Sequence, residues 1–376
     1  MNGSDNRKPL VSIRGFTILA MFFTVGTSIL VAPTGLAFHA KQDAWMSCLI
    51  GIGINLALVW MYSVLGERYP DQTIVQYSRT LLGRWFGGAA GLLFIAFYYL
   101  LAALLVADLG YFLSTQVMSD TPLEAMAIVF IAAVGFTVRE GMRVYSLTAE
   151  VLFPWVAVLL IVLFLPVVNE FDVQMLQPML EFGFAPVVQG AASFSMLQEM
   201  NVFLMMYPFV AKGKGKGRRN GFLAGTAIGG AVLAVTTTGS LIVLGAELTA
   251  NHLYPSYALA KNVQLGHMVE RVEGVLMFIW ICSVFIKTTI TLHASVIGVN
   301  QMLGIRDPKL LVWPMAIGLF PIGLMSYTNA VFTTTFINRY WTPFALPFEV
   351  LLPLVLLGVS LVRHGRRYDR LSGGSS

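Results

Sequence analysis

The segment TVGTSILVAP, residues 24–33, lies near the middle of an apolar run of about 25 residues, which is long enough to cross a bilayer as an α-helix. Gly26 adds backbone freedom, and Pro33 cannot donate a hydrogen bond to its own helix. Thr27 and Ser28 add hydroxyl groups that need partners where water is absent. Unwound backbone at membrane depth is tolerated only where it is buried in protein or lines a cavity, so the segment permits a helix that breaks beside an internal site. Taken alone, it favours a helix that is only kinked at the proline, with its small residues packed on a neighbour.

The rest of the chain has the composition of an integral membrane protein. Of 376 residues, 57% are hydrophobic and 11% are charged, against about 25% charged residues in a typical soluble domain. We expect one membrane domain, a first span that is retained rather than cleaved, and short tails at 1–12 and 364–376. Apolar windows of about 20 residues predict ten spans, near 14–37, 44–66, 86–113, 122–138, 144–168, 186–210, 221–244, 272–299, 310–328 and 341–362.

Basic residues alternate between the two sides of these spans. If both termini lie inside, most of the 24 Lys and Arg residues fall in inner segments, and outer segments hold only Lys41, Lys261, Arg271 and Arg339. This asymmetry follows the positive-inside rule and predicts that both termini are cytoplasmic. The basic loop AKGKGKGRRNG, residues 211–221, lacks the ending of a phosphate-binding loop and is expected to meet anionic membrane lipid. The net charge of +5 therefore implies no nucleic-acid partner.

A second interruption occurs in the sixth predicted span. Its middle reads GAASFSMLQEMNVF, residues 190–203, and is rich in polar side chains at the depth where a bilayer is least polar. A carboxylate there costs about 2.5–3.5 kcal/mol, so Glu199 should face protein or water. Interrupted segments at corresponding positions of two halves indicate a midplane site in an inverted-repeat transporter fold. We therefore predict two five-helix repeats, at about 14–168 and 186–362.

Six further segments invite comparison with a protein family. They are HAKQDAW (39–45), AEVLFP (149–154), MNVFLMMYPFV (200–210), YPSYALAK (254–261), ERVEGVLMFIW (270–280) and VFIK (284–287). In this order and over nearly the whole chain, they resemble the B subunits of GerA-type spore germinant receptors, which belong to the amino acid–polyamine–organocation superfamily of permease-like proteins. One departure is visible, because this chain has Gln198 where the family commonly has glycine before the sixth-span glutamate.

The resemblance implies an all-α polytopic membrane protein with ten transmembrane helices in a 5+5 inverted repeat, LeuT-like, with helices 1 and 6 interrupted. It also implies a subunit that binds a small nutrient, usually an amino acid, as a germination signal. The implied partners are a membrane-embedded A subunit and a C-subunit lipoprotein, in the inner membrane of a bacterial spore.

The predicted ligand site combines the two breaks with the third span. N–H groups at the first break would attract the carboxylate of an amino acid, and carbonyl groups at the sixth-span break would accept from its ammonium group. Glu199 would either add a charge or cap unwound backbone, and one of two tyrosines would close over the ligand. The candidate contacts are Val25, Gly26, Thr27, Ser28, Tyr98, Tyr99, Ser193, Ser195, Leu197, Gln198 and Glu199.

Lys287, near the middle of the eighth span, is the other charged residue whose burial in the membrane costs free energy. An unpaired ammonium group at that depth would lose its proton or find a carboxylate. The candidate partners are Glu199, Glu349, Asp108 and Glu150. A structural ion pair is the first interpretation, and a fixed charge at a place where related transporters hold a cation is the second.

Two other features limit the possible functions. The long outer loop at 245–270 has enough apolar residues to fold into a short lid over the entrance. Two separate cysteines and five scattered histidines predict no disulfide, no metal site and no cofactor. The sequence fits a nutrient receptor subunit or an amino acid/proton symporter, and a structural scaffold is a third reading. A membrane enzyme is disfavoured, because none of the common hydrolase, zinc-protease or nucleotide-binding motifs occurs.

Overall fold

The computed structural model describes residues 10–164, 173–213, 215–262, 272–326 and 330–372. These residues are almost entirely helical, and the pairing of Val11 with Val210 is an isolated bridge. The α-helices of the described ranges are α1 Ile13–Val25, α2 Ser28–Ala40, α3 Ala44–Arg68, α4 Ile74–Phe112, α5 Leu123–Glu140, α6 Met142–Phe164, α7 Ala185–Met196, α8 Gly217–Asn251, α9 Pro255–Asn262, α10 Val272–Leu303, α11 Lys309–Ser326, α12 Ala330–Thr335, α13 Thr342–Leu346 and α14 Leu352–Ser372.

The all-α polytopic fold class is confirmed. Seven helical stretches of the described residues are long and apolar enough to cross a membrane. Helices α1 and α2 have 13 residues each, so each is only about 20 Å long at 1.5 Å per residue. A hydrocarbon core is about 30 Å thick, so α1 and α2 are both needed for the first predicted span to cross it. The number of ten spans and the boundaries of the two repeats stay predictions, and the predicted tail at 364–376 continues α14 as far as Ser372.

The first predicted span breaks at residues 26–27 rather than at its proline. Gly26 has φ 21° and ψ −127°, and its N–H closes α1 by donating to the Phe22 carbonyl at 2.8 Å. Thr27 is the N-cap residue of α2, and its side chain makes no capping hydrogen bond. Pro33 lies inside α2, so the interpretation of a helix that is only kinked at the proline is wrong.

The sixth predicted span is interrupted after α7. Glu199 has left-handed backbone angles, φ 44° and ψ 38°, and the chain continues as short 3₁₀ turns at Met200–Met205 and Tyr207–Phe209. The α-helix therefore does not resume, which differs from the single span predicted for 186–210. A 3₁₀ turn has fewer residues per turn and poorer hydrogen bonds than an α-helix, so this half depends on side-chain contacts with its neighbours.

Close packing around α1 fixes the position of the first break. Gly221 and Gly229 of α8 leave room for Thr17 and Thr24 of α1, because a Cβ atom at either glycine would lie 2.8 Å from Thr17 Oγ1 or 2.6 Å from Thr24 Cβ. Small residues allow helices to approach in this way within membranes. Helix α10 packs on α4 and also contacts α1 and α6, which brings the eighth predicted span beside both breaks.

Candidate ligand site between two broken helices

Lys287 of α10 joins the two breaks. Its Nζ atom lies 2.7 Å from Glu199 Oε2, and both side chains are buried, with exposed fractions of 0% and 3%. The same nitrogen lies 3.4 Å from the Leu197 carbonyl oxygen and 4.9 Å from the centre of the Phe23 ring. Of the four predicted carboxylate partners, Glu199 is the one that pairs with the lysine.

Gly26 provides the space that this lysine occupies. A Cβ atom at position 26 would lie 2.7 Å from Lys287 Cδ and 2.8 Å from the Phe23 carbonyl oxygen. The positive φ of Gly26 is also a conformation that side chains of L-residues rarely adopt. Glycine is therefore required at the break both for its backbone angles and for the passage of the lysine side chain.

Hydrogen bonds across the site satisfy polar groups at the two breaks. Gln198 Nε2 donates to Ser28 Oγ at 3.1 Å, and both residues are buried. Trp341 Nε1 donates to the Met196 carbonyl at 2.9 Å. Because an unpaired polar group costs several kcal/mol in a bilayer, these bonds stabilise the broken conformation. Gln198, which replaces the glycine common in the resembled family, therefore bonds directly to the start of α2.

A cavity of about 80 Å³ lies between the two breaks. Leucines of α4 and the rings of Phe336 and Trp341 form its apolar wall. Its polar wall consists of Thr27, Ser28, Asp108, Glu199, Ser326 and Thr333. Sites for small molecules commonly measure about 300–1,000 Å³, so this is a contracted form that must widen for any but the smallest ligand.

Several predicted contacts lie elsewhere. The Tyr99 hydroxyl donates to the Met315 carbonyl of α11 at 2.7 Å, and Tyr98 is buried against Phe94 and Phe97. Ser195 donates its hydroxyl to Ala192 within α7. Four predicted contacts line the cavity: Thr27, Ser28, Leu197 and Glu199. Gly26 precedes Thr27 in the chain, and Gln198 bonds to Ser28. Val25 and Ser193 are buried but do not line the cavity.

Asp108 and Glu150 were predicted as partners of Lys287 and have other positions. Asp108 is buried in the wall of the cavity, and Glu150 accepts a hydrogen bond at 3.0 Å from Ser12 Oγ, at the N-terminal end of α1. Phe336 and Trp341, which line the cavity, were not among the predicted contacts. They lie on a π-helical turn, Phe336–Trp341, and the available sequence signal was only the neighbouring Pro343 and Pro347.

The segment that follows α8 packs on α2, and its predicted role as a lid over the outer entrance stays a prediction. Ser256 Oγ donates to the Ile29 carbonyl at 2.7 Å, and Thr34 Oγ1 donates to the His252 carbonyl at 2.8 Å. The Tyr254 hydroxyl donates to Asp108 Oδ1 at 3.4 Å. Burial, together with the neighbouring Asp108, raises the pKa of the Tyr254 phenol, so the hydroxyl remains a donor. The remaining lid residues, 263–270, lie outside the described residues.

Comparisons with known proteins agree with this architecture. A family model described as spore germination protein matches residues 10–332. The chain is similar to spore germination protein KB of Bacillus subtilis (strain 168), with 27% identity over 366 residues, 96% of this chain and 97% of that protein. A solved structure of MhsT in complex with L-phenylalanine matches with a TM-score of 0.68 and 14% identity, covering 95% of this chain and 99% of that one. Mhp1, a nucleobase-cation-symport-1 family transporter in a closed conformation with bromovinylhydantoin bound, matches with a TM-score of 0.67 and 12% identity, covering 93% and 79%.

The fold is therefore a LeuT-like transporter fold, and the molecule is a multi-pass, permease-like membrane protein. The chain belongs to the spore germination protein family, whose members include germinant receptor proteins.

Proposed function

We propose that this chain is the nutrient-binding subunit of a spore germinant receptor and that it senses an amino acid in the cavity between the two broken helices. The observation that carries this proposal is that both breaks border one cavity with a helix N-terminus on one side and a carboxylate on another. The name of the relative in Bacillus subtilis supports a role in germination. MhsT, which shares this fold, holds L-phenylalanine. We propose no enzymatic role.

The two ends of an amino acid fit different walls of the cavity. The first N–H groups of α2 have no side-chain cap, and such groups attract a carboxylate. Asp108 lies on the same cavity and supplies the negative charge for an ammonium group. The sixth-span carbonyls suit that group less well, because those of Met196 and Leu197 already accept from protein donors. The leucines of α4 then surround an apolar side chain.

Lys287 supplies a fixed positive charge at the junction of the breaks. Its ammonium group already lies beside a carboxylate and a carbonyl oxygen of the sixth-span break, which are the ligand types that a bound cation would need. Ligand binding should therefore require no sodium. This is the second interpretation of Lys287 from the sequence, and the ion pair itself is the first; the structure is compatible with both.

A ligand acts as a signal only if it binds two states unequally. The ammonium group of the ligand would compete with Tyr254 for Asp108, so binding would loosen the lid from the cavity wall. We propose that this change passes to an A subunit and a lipoprotein C subunit in the spore inner membrane. Both termini then lie on the cytoplasmic side, as the basic residues predict.

The test is a thermal-shift screen of the purified protein against the common amino acids, since a ligand that binds the native state raises the melting temperature. Leu101 is 4% exposed and lines the cavity, whereas Leu92 of the same helix is 59% exposed. Leu101→Phe should abolish the stabilisation by filling the cavity, and Leu92→Phe should retain it. Equal stabilisation of both variants would place the ligand elsewhere, and no stabilisation by any amino acid would refute amino acid sensing by this chain.

A second candidate function is amino acid/proton symport. Asp108 favours it, because a buried carboxylate that touches the ligand cavity can carry a proton together with a substrate. Purified protein in liposomes separates the two functions. Accumulation of the stabilising amino acid on imposing a proton gradient would establish transport, and binding without flux would support the receptor.

A further inference from the structure

Glu349 is a buried carboxyl group without a role in the proposed ligand site. It is 1% exposed and lies in a stretch, Thr333–Arg363, that is long and apolar enough to cross a membrane. Its Oε1 atom has no hydrogen-bond partner among the described residues, and it forms no ion pair with any of them. An acidic side chain in this setting is costly and usually functional.

Irregular backbone holds Glu349 beside the sixth-span break. It lies on a π-helical turn, Pro347–Leu351, which leaves carbonyl groups open to side chains. Tyr62 of α3 donates to the Glu349 carbonyl at 2.6 Å, and Asn201, just after the break, donates to the Phe348 carbonyl at 3.0 Å. These two bonds fix the position of the backbone that carries the carboxyl group.

Among the described residues, four charged or titratable groups interact electrostatically with this carboxyl: Glu199, Lys287, Tyr62 and Tyr98. The bond from Asn201 to the Phe348 carbonyl places Glu349 beside the broken segment that carries Glu199 and its partner Lys287. The two tyrosines are neutral at ordinary pH. Lys287 lies 2.7 Å from Glu199, so its charge is already balanced. If Glu349 were ionised as well, one negative charge would stay buried without a counter-charge.

We propose that Glu349 is a proton-binding site and that Glu199 and Glu349 share one proton across Lys287. In the present arrangement Lys287 pairs with the Glu199 carboxylate, and the proton forms the O–H bond of the Glu349 carboxylic acid. When Lys287 turns from Glu199 to Glu349, the O–H bond of Glu349 breaks and the proton forms an O–H bond with the Glu199 carboxylate. Both arrangements are electrically neutral, so neither leaves an unpaired charge in the membrane. A proton suits the site better than a metal cation, because metal ions require several oxygen ligands.

Infrared spectroscopy of the full-length, reconstituted protein without ligand tests this site, since the C=O stretch of a protonated carboxyl group is separate from carboxylate bands and shifts in D₂O. At neutral pH, Glu349→Gln should remove one such band from the wild-type spectrum. Glu199→Gln should also remove it, because Lys287 then pairs with the Glu349 carboxylate. Glu124→Gln, at an exposed position, should leave it unchanged.

Two results would overturn the proposal. A Glu349→Gln spectrum identical to that of the wild type would mean that Glu349 is ionised. A Glu349 band that persists in Glu199→Gln would mean that Lys287 does not link the two carboxyl groups. Glutamine has the shape of the protonated acid, so Glu349→Gln should keep the wild-type melting temperature at neutral pH. Because no ligand is present, the outcome is independent of whether the chain senses an amino acid.

Discussion

Removal of Lys287 gives the most direct measure of what joins the broken helices. At 2.7 Å from Glu199, two unit charges attract by about 6 kcal/mol at an effective dielectric constant of about 20. Desolvation of each ion cancels several kcal/mol of this, but the loss of one partner leaves a buried charge uncompensated and costs about 3–5 kcal/mol. We therefore expect Lys287→Met to lower the free energy of unfolding by about 3–5 kcal/mol, measured by equilibrium unfolding in detergent micelles.

Methionine is the appropriate replacement because its stem can follow the path of the lysine over Gly26. The double variant Lys287→Met with Glu199→Gln removes both charges and should recover most of the lost stability, since neutral replacement of a buried pair is often tolerated. Glu199→Gln alone should cost less than Lys287→Met, because Glu349 remains available to the lysine. Glu67→Gln is the control: Glu67 lies 3.8 Å from Arg219 in a partly exposed pair, which should contribute at most about 1 kcal/mol.

Two outcomes would refute this reasoning. If Lys287→Met lost no more stability than Glu67→Gln, the pair would not hold the breaks together. If the double variant were as unstable as Lys287→Met, the loss would come from packing of the lysine side chain rather than from an unpaired carboxylate.

Three further predictions concern the same site. Gly26→Ala should lower the free energy of unfolding by about 1–3 kcal/mol, because φ is positive at Gly26 and Lys287 fills the space that a Cβ atom would need. Gly53→Ala is the control in the same thermal-shift assay, since a Cβ atom there would have nothing within 4 Å. Equal melting temperatures of the two variants would contradict the steric argument. Ligand affinity should be the same in sodium and potassium salts, since Lys287 supplies a fixed charge, and a specific gain in sodium would count against that role. Gln198→Ala breaks the bond to Ser28 and should destabilise the contracted state by about 1 kcal/mol. Ligand binding, measured by calorimetry, should then tighten about fivefold. Weaker binding would instead make Gln198 a ligand contact.

Some of the site could be predicted because its polar and flexible residues are close together in the sequence. Gly26, Thr27 and Ser28 have no ordinary reason to lie together in a membrane helix, and Glu199 in the sixth span is too costly to be incidental. The exact position of the break could not be predicted, since a glycine and a proline in one span both permit irregular backbone. In the structure the helix breaks at the glycine, where the side chain of Lys287 occupies the space that a Cβ atom would take.

The rest of the site depends on contacts between distant parts of the chain. Lys287 and Leu197 are 90 residues apart, and nothing in either segment selects Glu199 over Asp108 as the partner. Both carboxylates lie in apolar stretches of the sequence, so hydrophobicity alone predicts the same role for each. Trp341 was missed for a related reason: its contact with the Met196 carbonyl follows from a π-helical turn, and such turns have no reliable sequence pattern.

The small volume of the cavity connects binding with the stability of the breaks. At about 80 Å³, it cannot enclose an amino acid with a sizeable side chain unless α2 moves away from the sixth-span break. That movement would stretch the Gln198–Ser28 bond and displace the Lys287 side chain that lies over Gly26, because both connect the two breaks. It would also act on the lid through Tyr254 and Asp108. The contacts that stabilise the contracted state are thus the ones that a ligand would strain or replace, and under the proposed function this would give a nutrient the unequal affinity for two states that a signal requires.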